Sequence, residues 1–478
     1  MKNLIGNEWV DASNGEVVEV TNPATGEVIA TVPNSTEEDV NRAVEEAHKA
    51  GRAWAKMPMH ERGRILEKYV DLVEEEADSL ASLLSAETGK PIKEAIAEIS
   101  NVRTFVYGYV ERAKHLYGFS IPEGVEAGQE KTMQITRRYP LGVVACIIPF
   151  NFPSDLFHQK VPSALIMGNT VIVKPSTANP LTLTKMVDLL RRAGVPSGVI
   201  QVINGSGSIC GNALSNHPMV HLISVTGSTA VGIETMKNAS SHLAHVMLEL
   251  GGNDAFILHK DGDVDLAVEE TVWGRLYNTG QVCCASKRFL IHKDVKDEFI
   301  EKMTNKIKSL KQGDPSDPET DIGCLISEKA AIEVERQVNE TVEAGAHIVV
   351  GGKRNGAFYE PTIIDGVTKD MEVAKDMEIF GPVISIIEYE DLEEAIEIAN
   401  QSSFGLCGNI ISRDMKTAFK VADELECGGA IINGASFYRS AEMPFGGWKY
   451  SGIGNEGIST TLQEMSKIKT VVLKNIFD

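Results

Sequence analysis

Cysteine is scarce in this 478-residue sequence, and its spacing excludes two common uses of the residue. There are seven cysteines, an odd number, and no two of them stand in a CxxC arrangement. We therefore expect neither a disulfide framework nor a zinc cluster, and no metal is predicted. Sparse and unpaired thiols are typical of a protein of the reducing cytoplasm.

Positive charge and long apolar runs are also lacking. Lysine and arginine number 46 against 67 acidic residues, which gives a net charge of −21. Because phosphate backbones require a basic surface, nucleic acid is not an expected partner. The longest apolar run, GVVACIIPFNFP, is interrupted by an asparagine and is too short to cross a bilayer. The first residues have no apolar core of signal-peptide length, so we expect a cytoplasmic protein without a membrane partner.

Short β-branched runs that alternate with helical segments dominate the sequence from about residue 132. The first series includes VVACIIPF, TVIVKPS, VIQVING, LISVTG and DAFIL, and a second series follows residue 285. Buried strands that alternate with helices predict parallel, doubly wound α/β sheets, and the length allows two or three domains. Before these series, Ser35 and Glu38 predict a capping box at the start of a helix.

Three motifs of the first series are suited to binding a nucleotide. In VTGSTAVG, Gly227 and Ser228 stand where a strand gives way to a helix, whose first N–H groups attract phosphate. In NGSGSICG, Gly207 and Gly211 belong to a GxGxxxG spacing that differs from the usual dinucleotide fingerprint. Lys174 ends the TVIVK strand, where a lysine can meet a ribose or a phosphate. A tight turn or a solvated lysine explains each motif alone, but together they predict nucleotide binding.

Three further motifs carry groups that are suited to acyl chemistry. Glu249 in LELGG has apolar neighbours, which suits a general base with a raised pKa; the alternative is a carboxylate satisfied by nearby backbone. Asn151 in PFNFP stands between prolines that can aim its amide at an oxyanion, although a turn asparagine has the same pattern. In NTGQVCCASKR, Cys283 or Cys284 at a helix start would have a lowered pKa; the alternative is a buried structural cysteine.

In this order the motifs resemble those of the aldehyde dehydrogenase superfamily, over almost the whole chain. The resemblance begins at VTNPATGEVIATVP, continues through PFNFP, KPS, TGST, LELGG, GQVCCA and EIFGPV, and ends at MPFGGWKYSGIG. It implies an α/β, aldehyde dehydrogenase-like fold with a Rossmann-type cofactor domain, an α/β catalytic domain and a small β oligomerisation element. The implied divisions are the NAD(P)-binding domain (1–120 and 142–250), the catalytic domain (251–430), the oligomerisation element (121–141 and 455–478) and the substrate-tunnel loop with the return to the cofactor domain (431–454).

The resemblance also assigns catalytic groups and a reaction. The family pattern GQxC selects Cys283 as the nucleophile and leaves Cys284 as a variable neighbour with a packing role. The family's general base matches Glu249, and its oxyanion asparagine matches Asn151. The implied reaction is the NAD(P)-dependent oxidation of an aldehyde to its carboxylic acid, through a Cys283 thioester that is hydrolysed with Glu249 as base.

A larger set of positions matches the family's cofactor contacts. Ser228 matches a pyrophosphate contact, Lys174 an adenosine-ribose contact, and Glu378 and Phe380 the contacts to the nicotinamide ribose and ring. NAD-preferring members often carry a glutamate where Thr177 stands, and without its repulsion NADP is predicted to be accepted as well as NAD, with a preference for NADP left open. The full predicted set is Ile147, Phe150, Lys174, Ser176, Thr177, Gly207, Gly211, Gly227, Ser228, Leu250, Glu378 and Phe380.

The predicted substrate contacts are Leu156, Gln159 and Arg439. Asp155 and Leu156 follow the PFNFP motif and would line the tunnel, and Gln159 stands where many members have an aromatic residue, which predicts a more polar pocket. Arg439 in SFYRSAEMPFGG can pair with a carboxylate, phosphate or sulfonate; the alternative is a salt bridge at a subunit interface. The region resembles members that oxidise small anionic or hydroxylated aldehydes, such as lactaldehyde, semialdehydes or phosphonoacetaldehyde.

Three other functions remain as alternatives. A coenzyme A-acylating dehydrogenase tends to lack the glutamate that is present at Glu249. A catalytically silent scaffold of the same fold would be supported by loss of Cys283, Glu249 or Asn151, and all three are present. A cysteine–histidine hydrolase needs a histidine in a matching motif, and no such motif is found. For assembly, TMQITRRYPLG and MSKIKTVVLKNIF match the hairpin and last strand that join subunits in the family, so a homodimer or homotetramer is expected.

Overall fold

The structure is a computed structural model that describes residues 1–475. In this part of the chain, helices cover the faces of the sheets. Positions 476–478, the end of the predicted oligomerisation element, lie outside the described residues. No helix within residues 1–475 is long and apolar enough to cross a membrane. The α-helices are α1 (Glu37–Lys56), α2 (Met59–Glu75), α3 (Ala77–Thr88), α4 (Ile92–Ser100), α5 (Val102–Lys114), α6 (Pro153–Ile166), α7 (Leu181–Ala193), α8 (Asn212–Asn216), α9 (Thr229–Ser240), α10 (Val264–Thr271), α11 (Lys293–Ser309), α12 (Glu328–Glu343), α13 (Leu392–Asn400), α14 (Met415–Glu424) and α15 (Ile458–Glu464).

Most strands are short, and the central strands of the two large sheets are rich in β-branched residues and largely buried. They are β1 (Asn3–Ile5), β2 (Glu8–Val10), β3 (Val17–Thr21), β4 (Val28–Pro33), β5 (Ser120–Ile121), β6 (Thr132–Pro140), β7 (Val143–Ile147), β8 (Thr170–Lys174), β9 (Ile200–Val202), β10 (Val220–Thr226), β11 (His245–Glu249), β12 (Asp254–Leu258), β13 (Ser286–His292), β14 (His347–Val350), β15 (Arg354–Asn355), β16 (Phe358–Tyr359), β17 (Thr362–Val367), β18 (Val383–Tyr389), β19 (Phe404–Gly405), β20 (Cys407–Ile411), β21 (Gly429–Ile432), β22 (Trp448–Lys449), β23 (Gly452–Ile453) and β24 (Ser466–Lys474).

An eight-stranded sheet has the order β2-β1-β9-β8-β7-β10-β11-β23. Its central strands, from β9 to β11, run parallel. The chain goes from β7 to β8 and β9 on one side, and then returns to lay down β10 and β11 on the other side. The strand order therefore reverses between β7 and β10, and such a switch point opens a crevice at the carboxyl ends of the strands.

A seven-stranded sheet has the order β14-β17-β18-β13-β12-β20-β21 and is built from the later part of the chain. Its pairings are parallel except that between β14 and β17. The two large sheets confirm the predicted α/β fold class. The placement of DAFIL in the first series was wrong: this segment is β12, which pairs with β13 and β20, because the chain leaves the first sheet at the LELGG turn.

A smaller sheet of three strands has the order β24-β6-β5. β6 and β24 pair antiparallel along their whole length, from Thr132 with Lys474 to Pro140 with Ser466. Ile468 and Val472 of β24 are exposed. Within the described residues β24 is an edge strand, so this sheet has backbone groups and apolar side chains available for further contacts.

The capping box of α1 lies one residue later than the sequence predicts. Thr36, in extended conformation, is the N-cap, and its backbone N–H donates to Asp39 Oδ2 at 3.0 Å. Ser35 instead accepts a hydrogen bond from Asn3 Nδ2 at 2.7 Å. The prediction of Ser35 and Glu38 was therefore wrong in register, because Ser35 is used to anchor the first strand.

Candidate active site

The carboxyl ends of parallel strands meet at the switch point of the first sheet. The register pairs Ile147 of β7 with Lys174 of β8 and with Val225 of β10. Thr226 of β10 pairs with Glu249 of β11. Ile147, Lys174 and Glu249, which come from separate sequence motifs, therefore lie along one edge of one sheet. Open α/β sheets bind ligands at this edge.

Helix α9 begins at the same edge. Ser228 is its N-cap and accepts a hydrogen bond at 3.4 Å from the N–H of the third residue of the helix. Gly227 donates its N–H to Glu249 O at 3.0 Å, which fixes the turn. Leu250 packs on the first turn of α9, and Gly232 provides the space, since a Cβ there would lie 2.6 Å from Leu250 Cδ1. A helix start beside a switch point is a suitable phosphate site.

The KPS motif lies at the end of β8 in a partly buried position. Lys174 Nζ donates to the neighbouring backbone carbonyl at 2.9 Å, and burial lowers the pKa of Lys174 to about 8. Ser176 accepts a hydrogen bond at 3.2 Å from the N–H two residues further on. Thr177 Oγ1 donates to Gly205 O at 3.0 Å. The Thr177 hydroxyl is thus engaged within the chain, and only the missing carboxylate still argues for acceptance of a 2′-phosphate.

The glycine-rich NGSGSICG segment follows β9 and turns beside the same edge. It forms a single π-helical turn, Gly207–Gly211. A Cβ at Gly211 would lie 3.9 Å from Ile147 Cδ1, so this glycine is adjacent to the end of β7. Around Gly207 no heavy atom of the described chain, its immediate neighbours aside, lies within 4 Å of such a Cβ. This turn therefore has an open face next to the switch point.

The predicted contacts to the nicotinamide lie at the other end of the crevice. Glu378 Oε1 accepts a hydrogen bond from Gly252 N at 3.3 Å. A Cβ at Gly251 would collide with the Glu378 carboxylate, so this glycine of LELGG makes room for the side chain. The rings of Phe150 and Phe380 pack edge to face with centroids 5.9 Å apart. Residues from three separate motifs thus meet here.

The segment before the double cysteine has an unusual backbone. Asn278 and Thr279 both adopt left-handed conformations, with φ of 50° and 54°. Asn278 is held by its N–H, which donates to Glu94 Oε2 at 2.8 Å, and by its side chain, which donates to Asn151 O at 2.9 Å. Cys283 stands in a turn that leads into β13. The predicted helix start at this thiol was therefore wrong, because the left-handed residues end the preceding helical turns and a strand follows.

The thiols of Cys283 and Cys284 interact directly. Cys283 is half-buried and Cys284 is buried. The Cys284 thiol donates a hydrogen bond that lowers the pKa of Cys283; burial opposes this shift, and the positive charges of Lys287 and Arg439 support it. The same hydrogen bond raises the pKa of Cys284 well above its usual range. Of the two thiols, Cys283 is therefore the one that ionises more readily.

The main chain at Asn151 is clamped from two sides. Asn151 O accepts hydrogen bonds from Lys90 Nζ at 3.0 Å and from Asn278 Nδ2 at 2.9 Å. Lys90 is also ion-paired with Glu98, and both side chains are fully buried. Glu98 Oε1 in turn accepts from Ser154 N at 2.8 Å, at the start of α6. The backbone of PFNFP is thereby fixed, while Asn151 remains on the wall of a cavity.

Glu249 is the last residue of β11 and is buried at the sheet edge. Its Oε2 has no hydrogen-bond partner among the described residues. Burial and the nearby charge of Glu456 raise the pKa of Glu249 well above its usual range. Glu456 is ion-paired with Lys160 at 2.7 Å and Arg439 at 3.0 Å, and despite burial these cations lower the pKa of Glu456. Glu249 is thus a carboxylate that readily takes up a proton.

A cavity of about 500 Å³ opens beside Cys283. Asn151, Leu156, Gln159 and Arg439, all predicted from the sequence, line it. Its remaining wall is largely aromatic. The rings are those of Phe105, Phe152, Trp273, Tyr277, Phe437 and Phe445. The volume is enough for a small substrate that reaches Cys283 from this side.

The polar groups of this cavity are partly neutralised within the chain. Arg439 pairs with Glu456 of the same chain, so an intrachain ion pair is present where the sequence left open a subunit-interface pair. Gln159 Oε1 accepts a hydrogen bond from the hydroxyl of Tyr109 at 2.9 Å. Asp155 also lines the cavity, and burial raises the pKa of Asp155 to about 8. The pocket is therefore polar at this end and close to neutral in charge.

Several site residues were missed from the sequence. Four of them contact predicted site residues, namely Lys90, Asn278, Glu456 and Lys287, while Glu98 lines the cavity and pairs with Lys90. The only available signal was the charge in otherwise apolar stretches, as in EAIAEIS, and such charges also occur on solvated helix faces. No group of three or more histidine, cysteine or acidic side chains within residues 1–475 is arranged to hold a metal ion.

Two α/β sheets that are parallel at their centres, and a cavity beside a thiol of lowered pKa, are typical of an enzyme. The aldehyde dehydrogenase family model matches residues 9–471. The chain belongs to this family, whose members are oxidoreductases that act on aldehydes.

Individual relatives match over almost their full length. The chain is 38% identical to the glutarate-semialdehyde dehydrogenase of Pseudomonas putida, over 97% of this chain and 96% of that protein. It is also 38% identical to the succinate-semialdehyde dehydrogenase [NADP(+)] GabD of Escherichia coli, over 98% and 96% of the two chains. A crystal structure of succinate-semialdehyde dehydrogenase from Burkholderia pseudomallei superposes with a TM-score of 0.96 at 36% identity, covering 99% of this chain and 98% of that chain.

Proposed function

We propose that this protein oxidises a small aldehyde, anionic or hydroxylated, to its carboxylic acid with NAD or NADP. The observation that carries the proposal is that Cys283 and Asn151 share one cavity wall while Glu249 lies close enough to Cys283 for their charges to interact. A nucleophile, an oxyanion donor and a base are thus available to one bound aldehyde.

Acylation begins at the cavity wall. The Cys283 thiolate attacks the aldehyde carbon, a C–S bond forms, and the carbonyl electrons move to oxygen. The Asn151 side-chain amide and the Cys283 N–H donate to this oxyanion, and a donor of this kind contributes roughly 10²–10³-fold to the rate. Bound NAD or NADP would supply the hydride acceptor. The oxyanion electrons would re-form the carbonyl as the C–H bond of the former aldehyde carbon breaks, and the acyl group would remain on Cys283 as a thioester.

Deacylation needs the base. Glu249 takes a proton from water, the water oxygen attacks the thioester carbon, and the C–S bond breaks to release the acid and the Cys283 thiolate. Because burial and the charge of Glu456 raise the pKa of Glu249, its carboxylate is a stronger base than a solvated one. Lys160 and Arg439 keep Glu456 charged, and this charge stabilises the protonated form of Glu249.

The crevice fits a dinucleotide. The α9 start at Gly227 and Ser228 is suited to the pyrophosphate, Lys174 and Thr177 lie at the adenosine end, and Glu378 lies at the nicotinamide end. The side chain at Thr177 carries no negative charge toward a 2′-phosphate. We therefore propose that both NAD and NADP are accepted; GabD of Escherichia coli is named as NADP-dependent.

The proposed substrate class follows from the cavity and from the relatives. The relatives' names give glutarate semialdehyde and succinate semialdehyde as substrates, both of which carry a carboxylate. Arg439 lines the cavity and pairs with Glu456 at 3.0 Å, and its guanidinium group has further N–H donors that can bind an anionic substrate. Asp155, whose pKa is raised to about 8, is largely protonated at neutral pH and can donate to an anion or a hydroxyl.

We also propose that the chain assembles as a homodimer or homotetramer with the predicted division into cofactor, catalytic and oligomerisation parts. The edge strand β24, with exposed Ile468 and Val472, supports a contact through this strand. A reducing location such as the cytoplasm is part of the proposal, because Cys283 must stay a free thiol.

The experiment is a turnover assay that follows the absorbance of reduced cofactor. The panel pairs neutral aldehydes with carboxylated and hydroxylated aldehydes of equal length, each with NAD and NADP. Wild type, Cys283→Ala and Arg439→Met are compared. We expect no turnover by Cys283→Ala. We expect Arg439→Met to lose roughly tenfold or more in kcat/KM for the anionic aldehydes relative to the neutral ones, because one charge interaction with the substrate is removed.

Two outcomes would contradict parts of this proposal. Turnover by Cys283→Ala would exclude the thioester route. An equal loss by Arg439→Met for neutral and anionic aldehydes would show that the arginine only holds Glu456, and the anionic class would then be abandoned. Measurement of free acid against acyl-coenzyme A in the presence of coenzyme A distinguishes hydrolysis from the acylating alternative.

A further inference from the structure

Lys287 is a buried lysine next to the nucleophile turn, and the mechanism above does not use it. It is the second residue of β13, and only 2% of its side chain is exposed. The next residue, Arg288, donates to backbone carbonyls elsewhere, including Asn253 O at 2.6 Å. Because successive residues of a strand point to opposite faces, Lys287 alone of this pair faces the site.

The Lys287 ammonium group has three acceptors from three parts of the site. Nζ lies 2.6 Å from Cys283 O and 2.7 Å from Gly252 O. It lies 3.2 Å from Glu378 Oε1. The two carbonyl oxygens accept hydrogen bonds from this group, and the Glu378 oxygen forms an ion pair with it. Lys287 is therefore held by the nucleophile turn and by the cofactor side at the same time.

We propose that Lys287 is a positioning residue, which fixes the nucleophile turn through the Cys283 carbonyl and ties that turn to the Glu378 carboxylate on the cofactor side. This inference rests on the proposed function, which makes Cys283 the nucleophile and Glu378 a cofactor contact. It adds a link between them: the positive charge felt at Cys283 depends on how much of the Lys287 charge Glu378 neutralises.

The field at the Cys283 thiol comes from several elements. The titratable and charged groups that act on it, or on which it acts, are Cys284, Lys287, Arg439, Glu378, Glu249, Asp254 and Cys407. Lys287 lowers the pKa of Cys283, and Glu378 raises it. The two side chains are in contact with each other but have opposite effects on the thiol. Loss of the Lys287 charge should therefore raise the pKa of Cys283, and loss of the Glu378 charge should lower it.

The test measures how fast iodoacetamide alkylates Cys283 across a pH series, without cofactor or aldehyde, with the Cys283 peptide quantified by mass spectrometry. We expect Lys287→Met to raise the midpoint pH by about one unit, which is about tenfold slower alkylation at neutral pH. We expect Glu378→Gln to lower the midpoint. The double variant should return toward the wild-type value, because both charges are gone.

The matched control is Lys296→Met, which removes a partly buried lysine of α11 that pairs with Asp365 and Glu388 and is not among the groups that act on the Cys283 thiol. Its midpoint should stay at the wild-type value. Shifts in the same direction for Lys287→Met and Glu378→Gln, or no shift in either, would overturn the proposal. If Lys287→Met fails to fold, the Glu378→Gln result alone still decides, because an unchanged midpoint refutes the link. Since no turnover is measured, failure of the dehydrogenase proposal would not affect this test.

Discussion

Lys90→Met is the most informative single substitution outside the cavity. Lys90 Nζ is ion-paired with Glu98, donates to Asn151 O at 3.0 Å and lies 4.0 Å from the centroid of the Phe152 ring. Methionine keeps the apolar stem but leaves the Glu98 carboxylate buried without its cation. Removal of one partner of a buried ion pair costs about 3–5 kcal/mol in the free energy of unfolding.

The same substitution should impair catalysis through Asn151. With Lys90 removed, the Asn151 carbonyl keeps only the hydrogen bond from Asn278, so the oxyanion amide is less well fixed. A misplacement of about 1 Å costs roughly 10²-fold, and loss of an oxyanion donor costs roughly 10²–10³-fold. We therefore expect kcat/KM to fall by roughly 10²-fold.

The double variant Lys90→Met/Glu98→Gln separates the two effects. Without a buried unpaired charge, it should recover about 2 kcal/mol or more of the stability lost by Lys90→Met. It should not recover kcat/KM, because the Asn151 carbonyl still lacks its second donor. Lys93→Met is the control: its pair with Asp321 is solvent-exposed and should contribute at most about 1 kcal/mol.

Stability is followed by urea denaturation and turnover by reduced-cofactor absorbance. The reasoning is refuted if Lys90→Met costs no more stability than Lys93→Met. It is also refuted if the double variant is less stable than Lys90→Met, since the unpaired Glu98 charge would then not be the cause of the lost stability. Full activity of the double variant would show that Lys90 does not position Asn151.

Two further predictions concern the base and the cofactor. Glu249→Gln should keep a single-turnover burst of reduced cofactor but lose roughly 10²–10⁴-fold in the steady-state rate, and an unchanged steady state would exclude Glu249 as the base. Since the pKa of Glu249 is raised and the base must be ionised, the wild-type steady-state rate should increase with pH through that pKa, and a rate that falls with pH would contradict this assignment. Thr177→Glu should raise the KM for NADP by roughly tenfold or more, because a carboxylate would face the 2′-phosphate, and leave that for NAD within a few-fold. Thr177→Gln is the control of similar size, and equal effects on both cofactors would contradict the prediction.

The sequence by itself determined the fold class and the order of the motifs. Alternation of buried β-branched runs with helical segments depends on local periodicity, which the chain carries without knowledge of its neighbours. The motifs around Asn151, Glu249 and Cys283 also depend on residue type and order, and they were enough to indicate the chemistry. The exact start of α1 was less well determined by the sequence. The N-cap is Thr36 and not Ser35, because Ser35 accepts a hydrogen bond from Asn3 of the first strand.

Only the tertiary structure decided how these groups are tuned. The expected helix start at Cys283 was wrong, and its thiol is instead influenced by Cys284, Lys287 and Arg439, of which Arg439 is remote in sequence. The clamp on Asn151 comes from Lys90, which is in a separate segment near the start of α4. The burial of Glu249 and the pairing of Arg439 with Glu456 likewise arise from contacts between distant segments. Electrostatic shifts depend on distance in space and on exclusion of water, and neither quantity is encoded in local residue spacing.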